Sequence, residues 1–289
     1  MKKIDLHVHS NRSDGTLSPT ELVHLAHQKG LSAFALTDHD NTDGLEEALR
    51  AAEPLTMEVI PGIEFSTRYM GRDIHIVGLE FDWKHPDLQN QIQFYRAERD
   101  RRNQKMIDLM AADGIDISLE QLIAAFGKDT ILTRAHFARY LADHGYVAEM
   151  WDAFQTHVGD HCKYYVPREK ITPCEVTELI RTYNGIPVLA HPFQYHFSDE
   201  ELRELLRQLC QSGLIGMEVY YSTHTEKQTE YLLNLAHEFD LVPGGGSDFH
   251  GANKPTISLG SGMNNLSISY EILEQLREKK TKENSYEIS

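Results

Sequence analysis

The chain has 289 residues, of which 44 are acidic and 28 basic, so its formal net charge is −16. A hydrophobic fraction of 40% and a charged fraction of 25% are typical of globular proteins and exclude a disordered or fibrous chain. No run of about 18 uncharged apolar residues occurs, so we expect no membrane span. The negative charge argues against stable DNA binding, which normally requires a basic face.

The segment before Asp5 is too short and polar to be the apolar core of a signal peptide. The three cysteines, Cys162, Cys174 and Cys210, are odd in number and have no metal-type spacing. Both features predict a cytoplasmic protein.

The first 85 residues alternate short apolar segments with helical patterns. The sequence Ser18-Pro19-Thr20-Glu21 is a capping box with proline at the first helical position, so a helix is expected to begin there. A second, short helix is predicted at 44–52. The predicted strands are 3–8, 33–36, 57–60 and 74–79. Such alternation is typical of parallel strands joined by helical crossovers.

From residue 86 to residue 161 only helical patterns occur, predicted at 86–110, 119–126, 134–144 and 147–154. The alternation then returns, with helices at 173–183, 199–211 and 226–239 and strands at 187–190, 214–220 and 241–243. The polar segment 279–289 is expected to be frayed. We therefore predict an α/β domain formed by residues 1–85 and 162–289, interrupted by a helical insertion at 86–161.

Metal-competent side chains recur where the predicted strands end. They are His7, His9, Asp38, His39, Glu64, His191, Asp248 and His250, with His75 near the start of its strand. In a parallel barrel, strand ends meet at one face, and a His-x-His strand segment directs both rings to the same side. One such histidine is more often hydrogen-bonded packing than a ligand, but the whole set predicts a metal site. Its imidazole and carboxylate donors favour Mn, Fe or Zn.

Several motifs carry a family resemblance. In chain order they are Asp5-Leu6-His7-Val8-His9-Ser10, Thr37-Asp38-His39, Gly62-Ile63-Glu64, Leu189-Ala190-His191-Pro192 and Gly246-Ser247-Asp248-Phe249-His250. This set resembles the polymerase-and-histidinol-phosphatase (PHP) metallophosphoesterases. Thr133-Arg134-Ala135-His136-Phe137-Ala138, and Glu218-Val219-Tyr220 followed by His224, resemble the branch that acts on 3′,5′-nucleoside bisphosphates, related nucleotides and RNA 5′ ends.

The resemblance implies a distorted seven-stranded (β/α) barrel, similar to a TIM barrel, that holds two to three divalent metal ions, with Mn expected first and Fe or Zn as alternatives. The implied ligands are His7, His9, Glu64 and Asp248 for the first metal, Glu64, His75 and His191 for the second, and Asp14, His39 and His250 for the third. Asp14 departs from relatives that have histidine there, which predicts a weaker or Mn-selective third site.

The expected chemistry is in-line attack of a metal-bound hydroxide on phosphorus, because paired metals acidify water and clamp phosphate oxygens. Asp38 is expected to orient the ring of His39. The resemblance places Arg134 and His136 over the site as substrate-binding residues, although Arg134 could also be a surface residue. His224 is expected either to contact phosphate or to protonate the leaving oxygen. The basic run 96–105 is expected to be a solvated face, with guidance of RNA as the alternative.

The leading hypothesis is a metal-dependent phosphatase of 3′,5′-nucleoside bisphosphates that also trims short RNA from the 5′ end. The nearest alternative is a nucleoside monophosphate or histidinol phosphate phosphatase. A non-catalytic metal-binding module of the PHP type is an alternative from another class. An amidohydrolase is disfavoured because no lysine follows a predicted strand to bridge the metals.

Overall fold

The computed structural model describes residues 2–160, 162–167 and 171–287. Its strands are β1 (Lys3–Val8), β2 (Leu31–Leu36), β3 (Glu58–Tyr69), β4 (Arg72–Leu79), β5 (Ile186–Leu189), β6 (Gly216–Tyr221), β7 (Val242–Gly246) and β8 (Ile268–Ser269). Its helices are α1 (Pro19–Gln28), α2 (Leu45–Ala52), α3 (Pro86–Ala112), α4 (Leu119–Phe126), α5 (Arg134–Asp143), α6 (Met150–Ala153), α7 (Pro173–Thr182), α8 (Asp199–Gln211), α9 (Glu226–Glu238) and α10 (Tyr270–Glu287).

All eight strands belong to one sheet, in the order β7-β6-β5-β4-β3-β2-β1-β8. A parallel bridge between Val8 and Phe249 and a 3.0 Å hydrogen bond from the His9 amide to the Phe249 carbonyl bring the end of β7 beside β1. The sheet therefore nearly closes on itself, with helices around it. This confirms the predicted distorted (β/α) barrel.

Two strands contradict the expectation of uniformly parallel pairing. The two-residue β8, an eighth strand beyond the seven expected, pairs antiparallel with β1, and β4 is the second exception. β4 runs antiparallel to both β3 and β5, because β3 continues through Tyr69 and returns at a tight turn instead of a helix. Met70 and Gly71 form the turn with φ of 48° and 78°, a conformation that glycine adopts readily. Consequently β4 begins at the face where the parallel strands end, which brings His75 to that face.

The helices begin where the sequence places capping residues. The predicted box at the start of α1 is present, since the Ser18 hydroxyl accepts from the Glu21 amide and the Glu21 carboxylate accepts from the Ser18 amide. α7, α8 and α9 begin with equivalent boxes. Their buried sides pack on the outer surface of the barrel, so the strand ends stay in register.

The helical segment between β4 and β5 has a hydrophobic cluster of its own, built from residues such as Met106, Leu122, Phe137 and Leu141. Only the first half of α3 packs against the barrel core. The predicted helix 147–154 is shorter, because α6 passes into a single π-helical turn, Phe154–Val158. The insertion boundaries remain a prediction, and the boundary residue His161 lies outside the described residues.

The expectation of a frayed carboxy-terminal segment is wrong for its described part. α10 extends to Glu287, with Leu273 and Leu276 fully buried against the barrel. The Lys279 ammonium pairs with Asp240 at 2.8 Å, which anchors the polar half of the helix. Across the described residues, no helix combines the length and apolar character needed to cross a bilayer.

Candidate metal centre

The structure brings all nine predicted ligands together at one end of the barrel. Eight are buried and His75 is partly exposed. Their donor atoms form four groups within 4.8 Å: His9, Asp14, His39 and His250; His7, His9 and Asp248; His7, Glu64 and His191; and His39, Glu64 and His75.

The four groups share more ligands with one another than the family resemblance implied. Glu64 lies at the centre, with one oxygen 2.8 Å from His75 Nδ1 and 2.9 Å from His191 Nε2, and the other 3.2 Å from His9 Nε2. The Asp14 group contains His9 in addition to the two histidines implied by resemblance. Glu64 thus joins two groups, whereas Asp14 belongs to one.

The electrostatics of the site favour ionised carboxylates but differ between the histidines. Burial opposes the charged ring of His7 and of His39, but the facing carboxylates, Glu218 for His7 and Glu64 for His39, raise the pKa of each ring. Burial opposes the charged form of Glu64, but the surrounding histidines, His39 first, hold its pKa well below the usual range. The pKa of Asp14 is lowered in the same way, and that of Asp248 is lowered by the Lys254 ammonium first and then by the histidines. Burial lowers the pKa of His9 to about 3, so its ring is neutral. Ionised carboxylates and neutral imidazoles are the forms that coordinate cations.

Buried atoms without hydrogen-bond partners also fit bound cations. Asp14 Oδ1, His39 Nδ1 and His191 Nδ1 have none among the described residues. His39 Nδ1 lies 3.0 Å from Glu64 Oε2 without hydrogen-bond geometry. Because burying unpaired polar atoms is costly, this donor set suits divalent metals with nitrogen and oxygen ligands.

Close backbone approach positions the ligands on β1 and β7. A Cβ added to Gly246 would lie 2.3 Å from the Cβ of His7, so only glycine allows these strands to meet. The Asp248 amide then donates to the His7 carbonyl at 2.9 Å. Asp248 and His191 have φ of 55° and 26°, which turns their side chains sharply away from the preceding strands.

Two residues that the sequence analysis did not assign to the site hold its ligands. Glu218 accepts from His7 Nδ1 at 2.8 Å and from the His191 amide at 2.7 Å. Thr133, the N-cap of α5, donates to Asp14 Oδ2 at 2.9 Å. Glu218 begins the resemblance motif at 218–220, and its burial within a strand is the signal that could have identified it.

Asp248 has two further contacts that the sequence did not predict. Its Oδ2 accepts from the Tyr221 hydroxyl at 2.6 Å and from the Lys254 ammonium at 2.5 Å. Both leave Oδ1, the oxygen closer to His7 and His9, turned toward the histidines.

Asp38 has a different set of contacts from the one expected. Its carboxylate accepts from the Ser10 amide at 2.8 Å, the Ser10 hydroxyl at 2.6 Å and the Ser13 hydroxyl at 2.7 Å, instead of binding the ring of His39. The backbone turn after β2 directs Asp38 toward β1. Asp38 therefore fixes the loop between His9 and Asp14.

Arg134 and His136 lie at the start of α5, beside the Asp14 group. Arg134 pairs with Asp73 at 2.8 Å and Asp160 at 2.7 Å, so its guanidinium is engaged with carboxylates. The buried His136 accepts from the Thr133 amide at Nδ1, 2.9 Å away, and burial lowers its pKa to about 4. Neither residue belongs to the metal-competent groups.

His224 lies beside Tyr221, with ring centroids 5.1 Å apart. Its Nδ1 donates to the Val219 carbonyl at 3.0 Å, and its buried Nε2 has no hydrogen-bond partner among the described residues. Burial lowers the pKa of His224, which favours the neutral ring with Nε2 as an acceptor. The geometry therefore fits a hydrogen-bond acceptor better than a proton donor, which is one of the two roles expected for His224; its contact with phosphate stays a prediction.

The basic run 96–105 is not a uniformly solvated face. Arg99 is only 3% exposed and binds Asp40 Oδ2 at 2.5 Å, next to His39. Arg102 is also buried and contacts Asn103. Arg96 pairs with Asp43 at 3.0 Å. Carboxylates therefore pair with Arg96 and Arg99, and Arg102 is buried, so only part of the positive charge of this run is available for guidance of RNA.

Comparison with known proteins points to the same family as the motifs. The PHP domain family model matches residues 5–153. A 5′-3′ exoribonuclease of Haemophilus influenzae is 40% identical over 249 residues, covering 86% of this chain and 90% of the relative. A 3′,5′-nucleoside bisphosphate phosphatase of Chromobacterium violaceum is 32% identical over 250 residues, covering 86% and 88%. A crystal structure from Bifidobacterium adolescentis, described as a metal-dependent phosphoesterase, has a TM-score of 0.85 at 29% identity and covers 96% of both chains.

Proposed function

The chain belongs to the PHP-domain family of metal-dependent phosphoester hydrolases, and from that premise we propose that it removes phosphate from small nucleotides. The first proposed substrate is a 3′,5′-nucleoside bisphosphate. The observation that supports this proposal most directly is the convergence of nine metal-competent side chains around Glu64.

We propose that the first metal is held by His7, His9, Glu64 and Asp248, the second by Glu64, His75 and His191, and the third by Asp14, His39 and His250. Mn is the proposed native metal, because the set mixes imidazole with hard carboxylate donors and contains no thiolate. When bound, divalent cations neutralise the phosphate oxygens and lower the pKa of water toward neutrality.

The protein's own residues then position the reactants. Glu218 fixes the His7 ring so that Nε2 faces the other ligands, at 3.1 Å from His9 Nε2. Asp38 acts one step away from the metals, by holding the loop between His9 and Asp14. His224 offers Nε2 as an acceptor for a water molecule or a substrate hydroxyl.

Arg134 is the proposed phosphate-binding residue on the substrate side. Its planar guanidinium matches two phosphate oxygens, and its neighbour Thr133 contacts the ligand Asp14. His136 supports this arrangement by accepting the Thr133 amide in the cap of α5. The helical residues 86–161 are, in this proposal, an insertion that supplies the substrate contacts to the barrel.

Short RNA 5′ ends are the second candidate substrate. The Haemophilus influenzae relative is named a 5′-3′ exoribonuclease, and a phosphodiester at an RNA end requires the same charge neutralisation as a phosphomonoester. The three cysteines are free thiols, which fits a reducing compartment, and we propose that the protein acts in the cytoplasm.

Phosphate release by metal-stripped protein reconstituted with Mn²⁺ tests the proposal. The substrates are adenosine 3′,5′-bisphosphate, adenosine monophosphate, histidinol phosphate and a short 5′-phosphorylated RNA, and a Glu64→Ala variant is the inactive control. Preference for the bisphosphate supports the proposal. Comparable release from histidinol phosphate contradicts the substrate assignment, and metal binding without any release favours the non-catalytic module.

A further inference from the structure

Five side chains form a compact group at the rim of the metal centre, where the helical segment meets the β3–β4 hairpin. This rim cluster consists of Arg68, Asp73, Arg134, Asp160 and Tyr165. All five are partly exposed, so a ligand at the mouth of the barrel can reach them.

The hairpin register links the rim cluster to the metal ligands. Ser66 pairs with His75, and Arg68 pairs with Asp73 two residues further along. Because side chains alternate with period two, Arg68 and Asp73 lie on the same hairpin face as His75 and Glu64. The separation along β4 between Asp73 and His75 is roughly 7 Å. The rim cluster is therefore the next position outward along the hairpin from His75, a ligand of the proposed second metal.

Two guanidinium groups flank one phenol ring in this cluster. The Arg68 guanidinium lies 5.4 Å and the Arg134 guanidinium 5.2 Å from the Tyr165 ring centroid. The Arg68 guanidinium also donates to the Tyr165 hydroxyl. These contacts hold the two guanidinium groups, each a planar donor of several hydrogen bonds, beside the same side chain, Tyr165.

Asp73 occupies the position between the two arginines. Its carboxylate lies 2.8 Å from Arg134 and 3.5 Å from Arg68, and the Tyr165 hydroxyl donates to it at 3.4 Å. A carboxylate held by two guanidinium groups and a phenol is bound as a phosphate would be.

We propose that Arg68 and Arg134 together bind the second, non-scissile phosphate of the substrate, and that this phosphate displaces Asp73 from the two guanidinium groups. The inference rests on the proposed function and adds Arg68 and Asp73 as residues that determine specificity. Because Asp73 pairs with both arginines, it competes with the phosphate for the two guanidinium groups and lowers the affinity of the subsite.

The test measures binding and needs no turnover. Metal-stripped protein is titrated calorimetrically at low ionic strength with adenosine 3′,5′-bisphosphate and with adenosine 5′-monophosphate. The variants are Arg68→Gln, Arg68→Lys and Asp73→Asn. Arg207→Gln is the matched control, because Arg207 also pairs with a carboxylate, Glu204, but lies exposed on α8. Thermal unfolding verifies that each variant is folded.

Arg68→Gln is expected to weaken binding of the bisphosphate about tenfold, the effect of losing one charge-assisted hydrogen bond, and to leave the monophosphate within about twofold. Arg68→Lys is expected to restore part of the loss. Asp73→Asn is expected to strengthen binding of the bisphosphate about threefold, because a competing charge is removed. Arg207→Gln is expected to change neither affinity.

The proposal is overturned if Arg68→Gln weakens both ligands equally, or neither, or if Asp73→Asn weakens the bisphosphate. Weaker binding of the bisphosphate by Asp73→Asn would identify Asp73 as a structural link between the hairpin and the insertion. Equal affinity of the wild-type protein for both ligands would also overturn it. Failure of the proposed function appears separately, as wild-type protein that binds the bisphosphate but releases no phosphate with Mn²⁺.

Discussion

The carboxylate of Glu218 accepts a hydrogen bond from His7 Nδ1 at 2.8 Å, while Nε2 of the same ring lies 3.1 Å from His9 Nε2. This contact decides which nitrogen of His7 carries the proton. With Nδ1 as the donor, the lone pair on Nε2 faces the other ligands. A carboxylate–histidine pair of this kind orients a metal ligand and raises its basicity.

Replacing Glu218 with alanine is therefore expected to reduce Mn²⁺ affinity by roughly 10- to 100-fold without removing any ligand. The measurement is titration of metal-stripped protein with Mn²⁺. Glu200→Ala, an exposed substitution on α8, is the control and should leave the affinity unchanged. Unaltered affinity in Glu218→Ala would show that the fold alone orients His7.

Glu64 and Asp14 are expected to differ in how many metal ions their loss removes. Glu64 belongs to two of the four metal-competent groups, and Asp14 belongs to one. Glu64→Ala should therefore reduce the bound metal by two ions, and Asp14→Ala by one. Elemental analysis of purified variants measures the metal content per chain. Equal losses would contradict the assignment of Glu64 as the shared ligand.

The sequence predicted most of the ligand set because strand ends in a barrel converge, so local motifs such as His7-Val8-His9 already imply a common site. It did not predict the direction of β4, because the predicted strand 57–60 stops nine residues before the observed end of β3 at Tyr69 and so hides the two-residue connection to β4. That direction depends on the turn at Met70 and Gly71, and it explains the position of His75.

Contacts between segments that are far apart along the chain were also not predicted from the sequence. Asp38 was expected to act on its neighbour His39, but its partners Ser10 and Ser13 come from the loop after β1. Glu218 and His7 are 211 residues apart, and no spacing rule links them. Such pairs depend on how the strands pack against one another, and this packing cannot be read from the order of residues along the chain.

His136 is expected to make stability depend on pH in a predictable direction. Burial lowers its pKa to about 4 in the folded protein, against an ordinary value of 6.5, so the unfolded chain binds the extra proton more readily. Falling pH therefore favours unfolding through this group. Protonation would also remove the acceptor for the Thr133 amide.

A His136→Gln variant isolates this contribution, because glutamine can accept the same capping hydrogen bond but does not titrate. Between pH 6.5 and about 4, the wild-type free energy of unfolding should fall relative to the variant by about 3 kcal/mol. Urea denaturation at a series of pH values measures the difference. A constant difference across that range would contradict the buried, neutral state of His136.

Gly246 and Gly244 offer a matched pair on β7 that tests how closely the barrel must close. A Cβ at Gly246 would meet His7 Cβ at 2.3 Å and the His7 amide nitrogen at 2.5 Å, whereas a Cβ at Gly244 would meet nothing closer than 3.5 Å. Since the His7 backbone cannot move without displacing its ring, Gly246→Ala should destabilise the protein by about 3 kcal/mol and weaken metal binding.

Gly244→Ala should change the free energy of unfolding by less than about 1 kcal/mol and leave metal binding intact. Denaturant unfolding and Mn²⁺ titration of the two variants measure both effects. If Gly246→Ala retains wild-type stability and metal affinity, β1 and β7 must be able to separate without disturbing His7, and close approach would not be what positions the ligands. If both variants lose metal affinity equally, the effect would belong to β7 as a whole and not to the contact with His7.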